Sequence, residues 1–200
     1  SGTAGSADGI GATATFDRPY GLEMGENNVT IYVAGVVKVD IDGQTVTGGQ
    51  DYMLMKFNHS GVKQWTKLKG TSNGESPYGL TIDSSNNLYT FGSYDNEHSV
   101  SSDHSNSSDI RVVKHDSDGN FQWVKELDNS TLITQGGDYV KIDSSGNIFT
   151  GGGDTVGKFN SSGVKQWMVS QTSGEGIVLD SSGNVYVAED IWTGDNVTLT

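Results

Sequence analysis

A ten-residue phrase that occurs twice is the feature of this sequence that most constrains its fold. KFNHSGVKQW covers residues 56–65 and KFNSSGVKQW covers residues 158–167, so the two copies differ only at His59 and Ser161. A looser copy, KHDSDGNFQW, covers residues 114–123. Internal repetition of this kind indicates equivalent structural units that stack on one another.

A second phrase alternates with the first along the chain. It reads LTIDSSNNLYTFG at 80–92, VKIDSSGNIFTGG at 140–152 and IVLDSSGNVYVAE at 177–189, with a degenerate copy, LEMGENNVTIYVAG, at 22–35. Each unit therefore reads strand, turn, strand, connection, strand, turn, strand, and the first three units end on Trp65, Trp123 and Trp167. We expect units at about 20–70, 78–128 and 138–170, and a partial unit at 176–200.

The turns within these units follow one chemical rule. A type I turn favours Asp or Asn at its first position, where the side chain bonds a backbone amide, and Gly at its fourth, where φ is positive. One predicted turn has Asn at the fourth position, the next most tolerant residue there. The predicted turns are Asn58–Gly61, Asp83–Asn86, Asp116–Gly119, Asp143–Gly146, Asn160–Gly163 and Asp180–Gly183.

The strands predicted between these turns carry apolar residues on both faces. In DYMLMKF (51–57), Tyr52 and Leu54 share one face, and Met53 and Met55 share the other. No stretch has a sustained helical period. The chain is therefore predicted to be all-β, and four-stranded antiparallel units packed face to face and repeated in sequence describe a β-propeller. We expect each terminal Trp to pack between adjacent sheets, the alternative being a platform for stacking sugars.

The chain also resembles a known family of repeats. Residues 36–65 and 79–93 look like the β-propeller repeats of bacterial surface and secreted proteins, the SBBP type. Their D-x-x-x-x-K-[FY]-[DN]-x-x-G-x-x-x-W pattern is matched by Asp51, Lys56, Phe57, Asn58, Gly61 and Trp65. Residues 7–24 are similar to the start of an NHL propeller repeat. The resemblance implies an exported or cell-surface protein, of bacterial origin, but its motifs are structural and imply no activity.

Composition excludes some classes of partner. The formal net charge is −13, with 25 acidic and 12 basic residues and no local basic cluster, so the surface repels nucleic acid. No apolar stretch is long enough to cross a bilayer, and we expect no membrane insertion. The chain has no Cys, which excludes disulfides and thiolate metal sites.

The units differ in the connection between their second and third strands, and this difference suggests where function lies. Residues 36–50 alternate and contain Asp42-Gly43, so they predict a small hairpin. Residues 94–108 lack apolar content and predict a polar loop, and the family resemblance implies that such connections open on the ligand-binding face. The candidate ligand-binding residues in this loop are Tyr94, Asp95, His98, Asp103 and His104.

The fourth unit contains only its first two strands and no matching Trp. Rings use four to eight blades, and an unclosed arc exposes strand edges. We therefore expect a fragment of a larger ring, the alternative being completion by a second copy of the chain, with self-association through the open edges.

No catalytic residues are predicted. The sequence has no G-x-S-x-G elbow, and His59 stands in a turn where its twin is Ser161, so triad hydrolysis is not supported. Acidic and histidine residues at 95–109 fit no metal-ligand spacing, and we predict neither a metal site nor a cofactor. The leading hypothesis is a non-enzymatic binding or scaffold module with a protein or glycan partner. The alternative is a propeller enzyme, such as a lyase, hydrolase or dehydrogenase, with a site at the central channel and with calcium as its conceivable cofactor.

Overall fold

The structure, a computed structural model, describes residues 18–26, 28–70, 75–93, 110–126, 139–189 and 198–199. Every regular element in these residues is a β-strand, and none of them forms a helix that could cross a membrane. The strands are β1 Arg18–Met24, β2 Thr30–Val37, β3 Asp51–Asn58, β4 Lys63–Lys69, β5 Ser76–Ile82, β6 Leu88–Ser93, β7 Ile110–His115, β8 Phe121–Glu126, β9 Tyr139–Ile142, β10 Ile148–Phe159, β11 Lys165–Leu179, β12 Val185–Glu189 and β13 Thr198–Leu199.

The first two sheets are four-stranded antiparallel meanders in the orders β1-β2-β3-β4 and β5-β6-β7-β8. Their registers are equivalent. Tyr32 lies opposite Lys56, which lies opposite Trp65, and Tyr89 lies opposite Lys114, which lies opposite Trp123. The prediction of four-stranded antiparallel units is confirmed in this part of the chain.

The last sheet differs from the expected pattern. Its order is β13-β12-β11-β10-β9, and the expected second and third strands of the third unit follow one another within β10 with no loop between them. The chain nevertheless folds back within β10, because Lys158 Nζ lies 5.0 Å from the centre of the Phe149 ring, far closer than nine residues of a straight strand would allow. Likewise, β11 joins the last strand of the third unit to the first strand of the fourth.

The sheets pack face to face like the blades of a β-propeller. Tyr32 and Leu54 of the first sheet are buried against Leu80 and Leu88 of the second. Further along, Phe91 packs with Ile148 and Phe159, and Phe149 packs with Ile177 of β11. The edge strands β1, β5 and β9 lie next to one another and form the inner side of this fan. The predicted all-β propeller architecture is therefore confirmed.

All six predicted turns form as expected. In each turn the fourth residue donates its N–H to the carbonyl of the first, and its φ is positive, from 59° at Asn86 to 82° at Gly163. The side chain at the first position accepts one more backbone hydrogen bond than the turn rule predicts. Asp83 Oδ1 accepts the N–H of Ser85 at 2.9 Å and also that of Asn87 at 2.9 Å. The Asp83 carboxylate thus holds residues 83–87 in the turn conformation.

Residues 38–50 form the predicted small hairpin. Ile41 pairs with Gln44 across Asp42 and Gly43, whose φ angles are 54° and 72°, as a type I′ turn requires. Ile41 and the partly buried Val46 pack on the face of the first sheet that points away from the second. The Gln44 side chain also bonds the backbone of β4 at Thr66 and Leu68. This hairpin therefore covers part of one end of the fan.

Candidate functional site

The five residues that the sequence singles out for ligand binding, Tyr94, Asp95, His98, Asp103 and His104, lie outside the described residues, as do the other acidic residues of that loop. His59 is exposed in a turn, and His115 is buried between the rings of Tyr52 and Phe121, at 5.8 and 6.2 Å. Within the described ranges, no group of three or more acidic or histidine side chains could hold a metal ion.

The repeated phrase builds a packing unit. In each of the first three units, the Lys of the phrase lies over an aromatic ring of the second strand, and that ring also contacts the Trp. Trp65 packs with the cluster between the first and second sheets, and Trp123 with the cluster between the second and third. The prediction that these two Trp residues pack between sheets is confirmed. Trp167 is 37% exposed, because no further sheet of the described chain covers it.

Two charged side chains meet at the inner side of the fan. Lys141 Nζ of β9 donates to Glu23 Oε1 of β1 at 3.0 Å, although the two residues are 118 positions apart. Both side chains are partly buried, Lys141 at 35% exposure and Glu23 at 24%. Because β1 and β9 belong to different sheets, the pair exists only when three inner strands lie side by side.

An open groove of about 760 Å³ lies beside this pair. Its lining combines one cation, two tyrosines and a mainly aliphatic surface, a composition suited to a ligand with polar and apolar parts. The lining residues are Tyr139, Lys141, Gly176, Ile177, Val178, Tyr186, Val187 and Ala188. Lys141 therefore belongs both to the groove and to the ion pair.

Sequence reasoning did not single out Glu23 or Lys141, although a positional signal exists. Each of them stands two residues before the first residue of the turn that follows the inner strand, at Gly25 and Asp143 respectively. The equivalent position of the second unit is Thr81, which is buried. The charged residues at this position in two of the units could have marked the inner strands as candidates.

Two turns carry a further polar arrangement. Asp83 Oδ2 accepts the Tyr89 hydroxyl at 3.0 Å and lies 3.7 Å from Lys114 Nζ. Burial would raise the pKa of Asp83, but hydrogen bonds from Asn87, Tyr89 and Ser85 hold it below its ordinary value. Burial and the bond to Asp83 together raise the pKa of Tyr89.

The last turn repeats part of this arrangement at an exposed position. Asp180 Oδ2 accepts the Tyr186 hydroxyl at 3.1 Å. Hydrogen bonds, first from the Asn184 side chain, lower the pKa of Asp180, and the bond to Asp180 raises that of Tyr186. Asp180 and Tyr186 are therefore held together as a carboxylate and a neutral phenol.

Solved β-propeller structures resemble this chain. A protein of unknown function from Bacteroides caccae matches with a TM-score of 0.57 at 9% identity, over 90% of this chain and 58% of the other. A gluconolactonase from Xanthomonas campestris gives 0.52 at 14%, over 84% and 53%. A candidate 6-phosphogluconolactonase from Bacteroides uniformis gives 0.54 at 12%, over 95% and 57%.

The chain spans a little over half the length of these proteins, and at such identities the likeness establishes the fold alone. No family model matches the sequence, and no curated protein does. The resemblance to SBBP-type and NHL repeats is therefore confirmed only as far as the propeller fold.

Proposed function

We propose that this protein acts at the inner side of its propeller on a small cyclic polar ligand, a sugar lactone or a related cyclic ester. The Lys141–Glu23 pair, 3.0 Å apart beside an open groove, is the observation that carries this proposal. It favours the enzyme alternative of the sequence analysis over the scaffold hypothesis.

The chemistry of the pair suits ester hydrolysis. A carboxylate such as Glu23 can accept a proton from an attacking water, and an ammonium such as Lys141 can stabilise the negative charge that develops on the carbonyl oxygen. Water adds to the carbonyl carbon, the ring C–O bond breaks, and a hydroxy acid is released. Hydrolysis requires no oxidant or reductant, so the residues of the chain can supply these roles.

The groove and the comparisons support the same ligand class. Tyr139 and Tyr186 place aromatic surface beside the cation, and aromatic rings with one or two polar groups are a common setting for sugar rings. Among the similar structures, one is named a gluconolactonase and another a candidate 6-phosphogluconolactonase. Because one fold hosts many functions, the proposal rests on the pair and uses these names only to select the substrate to test.

A pH-indicator assay with glucono-δ-lactone tests the proposal, with added calcium and with chelator in parallel. We expect acid release above the spontaneous rate, and a loss of at least about tenfold in Glu23→Gln and Lys141→Met. Lys63→Met is the matched control, since Lys63 makes its ion pair with Asp42 on the outer side of the first sheet. Turnover no faster than buffer alone, at substrate concentrations up to about 10 mM, would contradict the proposal.

The second candidate function is a non-enzymatic binding or scaffold module of an exported or cell-surface bacterial protein, of the SBBP type, with a protein or glycan partner. One observation favours it: in the first two units, the aromatic and Trp residues of the repeats serve packing between sheets. This candidate assigns binding to residues 94–108. Replacing that loop with a Gly-Ser linker should abolish binding on a glycan array and leave the melting temperature unchanged, whereas global unfolding of the variant would count against it.

A further inference from the structure

Carboxylates gather where the inner strands end, close to the Lys141–Glu23 pair. Asp83 and Asp143 are the first residues after β5 and β9, and Glu26 is the second residue after β1. A strand rises about 3.3 Å per residue, so the backbone of Asp143 lies at most about 7 Å from that of Lys141. By the same measure, the backbone of Glu26 lies at most about 10 Å from that of Glu23.

Two hydrogen bonds show that the turns after the inner strands lie at one end of the fan. The Glu26 N–H donates to Asn86 Oδ1 at 2.9 Å, which joins the turn after β1 to the turn after β5. The bond from Lys141 to Glu23 joins β9 to β1, close to the ends of both strands. The three inner strands thus end side by side, and a small ligand at the pair lies close to all three turns.

Two of the carboxylates at this end are neutralised by lysines. Glu23 Oε1 accepts a hydrogen bond from Lys141 Nζ at 3.0 Å. Asp83 Oδ2 lies 3.7 Å from Lys114 Nζ. Because each of these pairs has no net charge, neither of them exerts a strong force on a charged group several ångströms away.

Glu26 and Asp143 have no such neutralising partner. All twelve Lys and Arg residues of the sequence lie in the described ranges, and within those ranges none of them forms an ion pair with Glu26 or Asp143. The hydrogen bonds to Asp143 come from uncharged groups, namely the N–H groups of Ser145 and Asn147 and the side-chain amide of Asn147. The surroundings of the Lys141–Glu23 pair therefore carry the uncompensated negative charges of both carboxylates.

From this charge distribution we propose that the site accepts uncharged sugar lactones and rejects phosphorylated ones, and that Glu26 and Asp143 set this selectivity. The inference rests on the proposed lactone hydrolysis, because it concerns the ligand of the same site. A phosphate group on a small sugar ring carries about two negative charges at neutral pH. With the ring carbonyl at the pair, this phosphate comes within about 10 Å of both carboxylates, a distance over which charges still repel at about 0.1 M salt. An uncharged lactone experiences no such repulsion.

Two substrates that differ only in the phosphate test the selectivity. Hydrolysis of glucono-δ-lactone and of its 6-phosphate by the full chain is followed with a pH indicator, and the spontaneous rates are subtracted. In about 20 mM NaCl, we expect kcat/KM to be about tenfold higher for the uncharged lactone. In about 500 mM NaCl, this ratio should fall at least about threefold, because salt screens the repulsion. A preference that came from shape alone would not respond to salt.

Variants assign the effect to the two carboxylates. Asp143→Asn should raise kcat/KM for the phosphorylated lactone about threefold at low salt and change that for the uncharged lactone less than about twofold. The turn survives this change, because Asn58 and Asn160 begin equivalent turns and make the same backbone bonds. Glu26→Gln should act in the same way. Asp118→Asn is the matched control, since it removes one negative charge from the turn between the outer strands β7 and β8 and should leave the ratio unchanged. Melting temperatures confirm that each variant is folded.

The outcomes separate this inference from the proposed hydrolysis. Equal or faster turnover of the phosphorylated lactone at low salt, or a preference that salt does not alter, would overturn the selectivity and leave the hydrolysis standing. A ratio that stays at the wild-type value in both Asp143→Asn and Glu26→Gln would overturn the role given to these carboxylates. Turnover of neither lactone above the spontaneous rate would overturn both proposals together.

Discussion

Trp65 and Trp167 end two almost identical phrases, yet they lie in different surroundings. Both contact the aromatic ring of their own sheet, at 6.3 Å for Tyr32 and 6.4 Å for Phe149. Trp65 is also covered by Gly119 in a turn of the next sheet, while Trp167 is exposed. The phrase therefore determines the local hairpin, and the neighbouring sheet determines whether the Trp belongs to a core.

The residues that follow the two phrases reinforce this difference. Lys67, two residues after Trp65, reaches Asn120 of the next sheet at 3.4 Å, and Lys125 reaches the Ser161 carbonyl in the same way. The equivalent residue after Trp167 is Val169, which is 53% exposed. The third unit thus lacks the lysine that ties the first two units to their neighbours, and its outer surface is more apolar.

Truncating the two Trp residues gives the largest expected contrast. Trp65→Ala should lower the free energy of unfolding by about 3 kcal/mol, because it opens a cavity between two sheets. Trp167→Ala should cost only about 1 kcal/mol, since much of its surface is already in water. Urea unfolding followed by circular dichroism measures both without relying on Trp fluorescence. Equal losses would show that Trp167 is as well covered in solution as Trp65.

The glycine above Trp65 offers the next contrast. Gly119 has a φ of +77°, and a Cβ there would lie 2.8 Å from the Trp65 ring, whereas Gly61, with a φ of +73°, has open space around it. Gly61→Ala therefore tests backbone strain alone, at about 1 kcal/mol, and Gly119→Ala adds a clash, for a total of about 2–3 kcal/mol. Trp65→Ala should reduce the excess cost of Gly119→Ala in a double-mutant cycle. An undiminished excess would mean that Trp65 is not the obstacle.

Much of the fold could be predicted because its determinants are local in sequence. The Asx-x-x-Gly turns form as predicted, and Tyr52 and Leu54 pack on the face opposite Met53 and Met55. These features depend on a few neighbouring residues, whose chemistry a sequence displays directly.

Features that depend on distant residues could not be predicted in the same way. In β10 the second and third strands of the third unit are joined without the long connection of the first unit, and repeat spacing alone does not reveal how the chain reverses there. The Glu23–Lys141 pair joins residues 118 positions apart, and neither side chain has a local motif. The sequence therefore predicts a candidate site in the loop at 94–108 rather than at the inner strands.

The Asp83 turn gives a prediction of intermediate size. Because hydrogen bonds hold the folded-state pKa of Asp83 below the ordinary value of 3.8, its stabilisation is complete above that value and is lost as the pH falls through the folded-state pKa. Asp83→Asn should remove the carboxylate interactions with Lys114 and Tyr89, cost about 1 kcal/mol at neutral pH, and reduce the loss of stability between about pH 5 and pH 2.

Urea midpoints of the wild type and the Asp83→Asn variant across that pH range test the effect. Ser84→Ala, an exposed change in the same turn that leaves the carboxylate in place, should keep the wild-type dependence. A variant whose acid sensitivity equals that of the wild type would mean that the turn does not depend on the charge of Asp83.

The smallest expected effect comes from the one position at which the two phrases differ. His59 and Ser161 are both exposed in their turns, and the backbone bonds of each turn come from Asn58 and Asn160 rather than from these side chains. His59→Ser, which makes the phrases identical, should therefore change the free energy of unfolding by less than about 0.5 kcal/mol between pH 5 and pH 8. A larger or pH-dependent change would give His59 a role that its twin lacks, and the two phrases could no longer be treated as one hairpin in two surroundings.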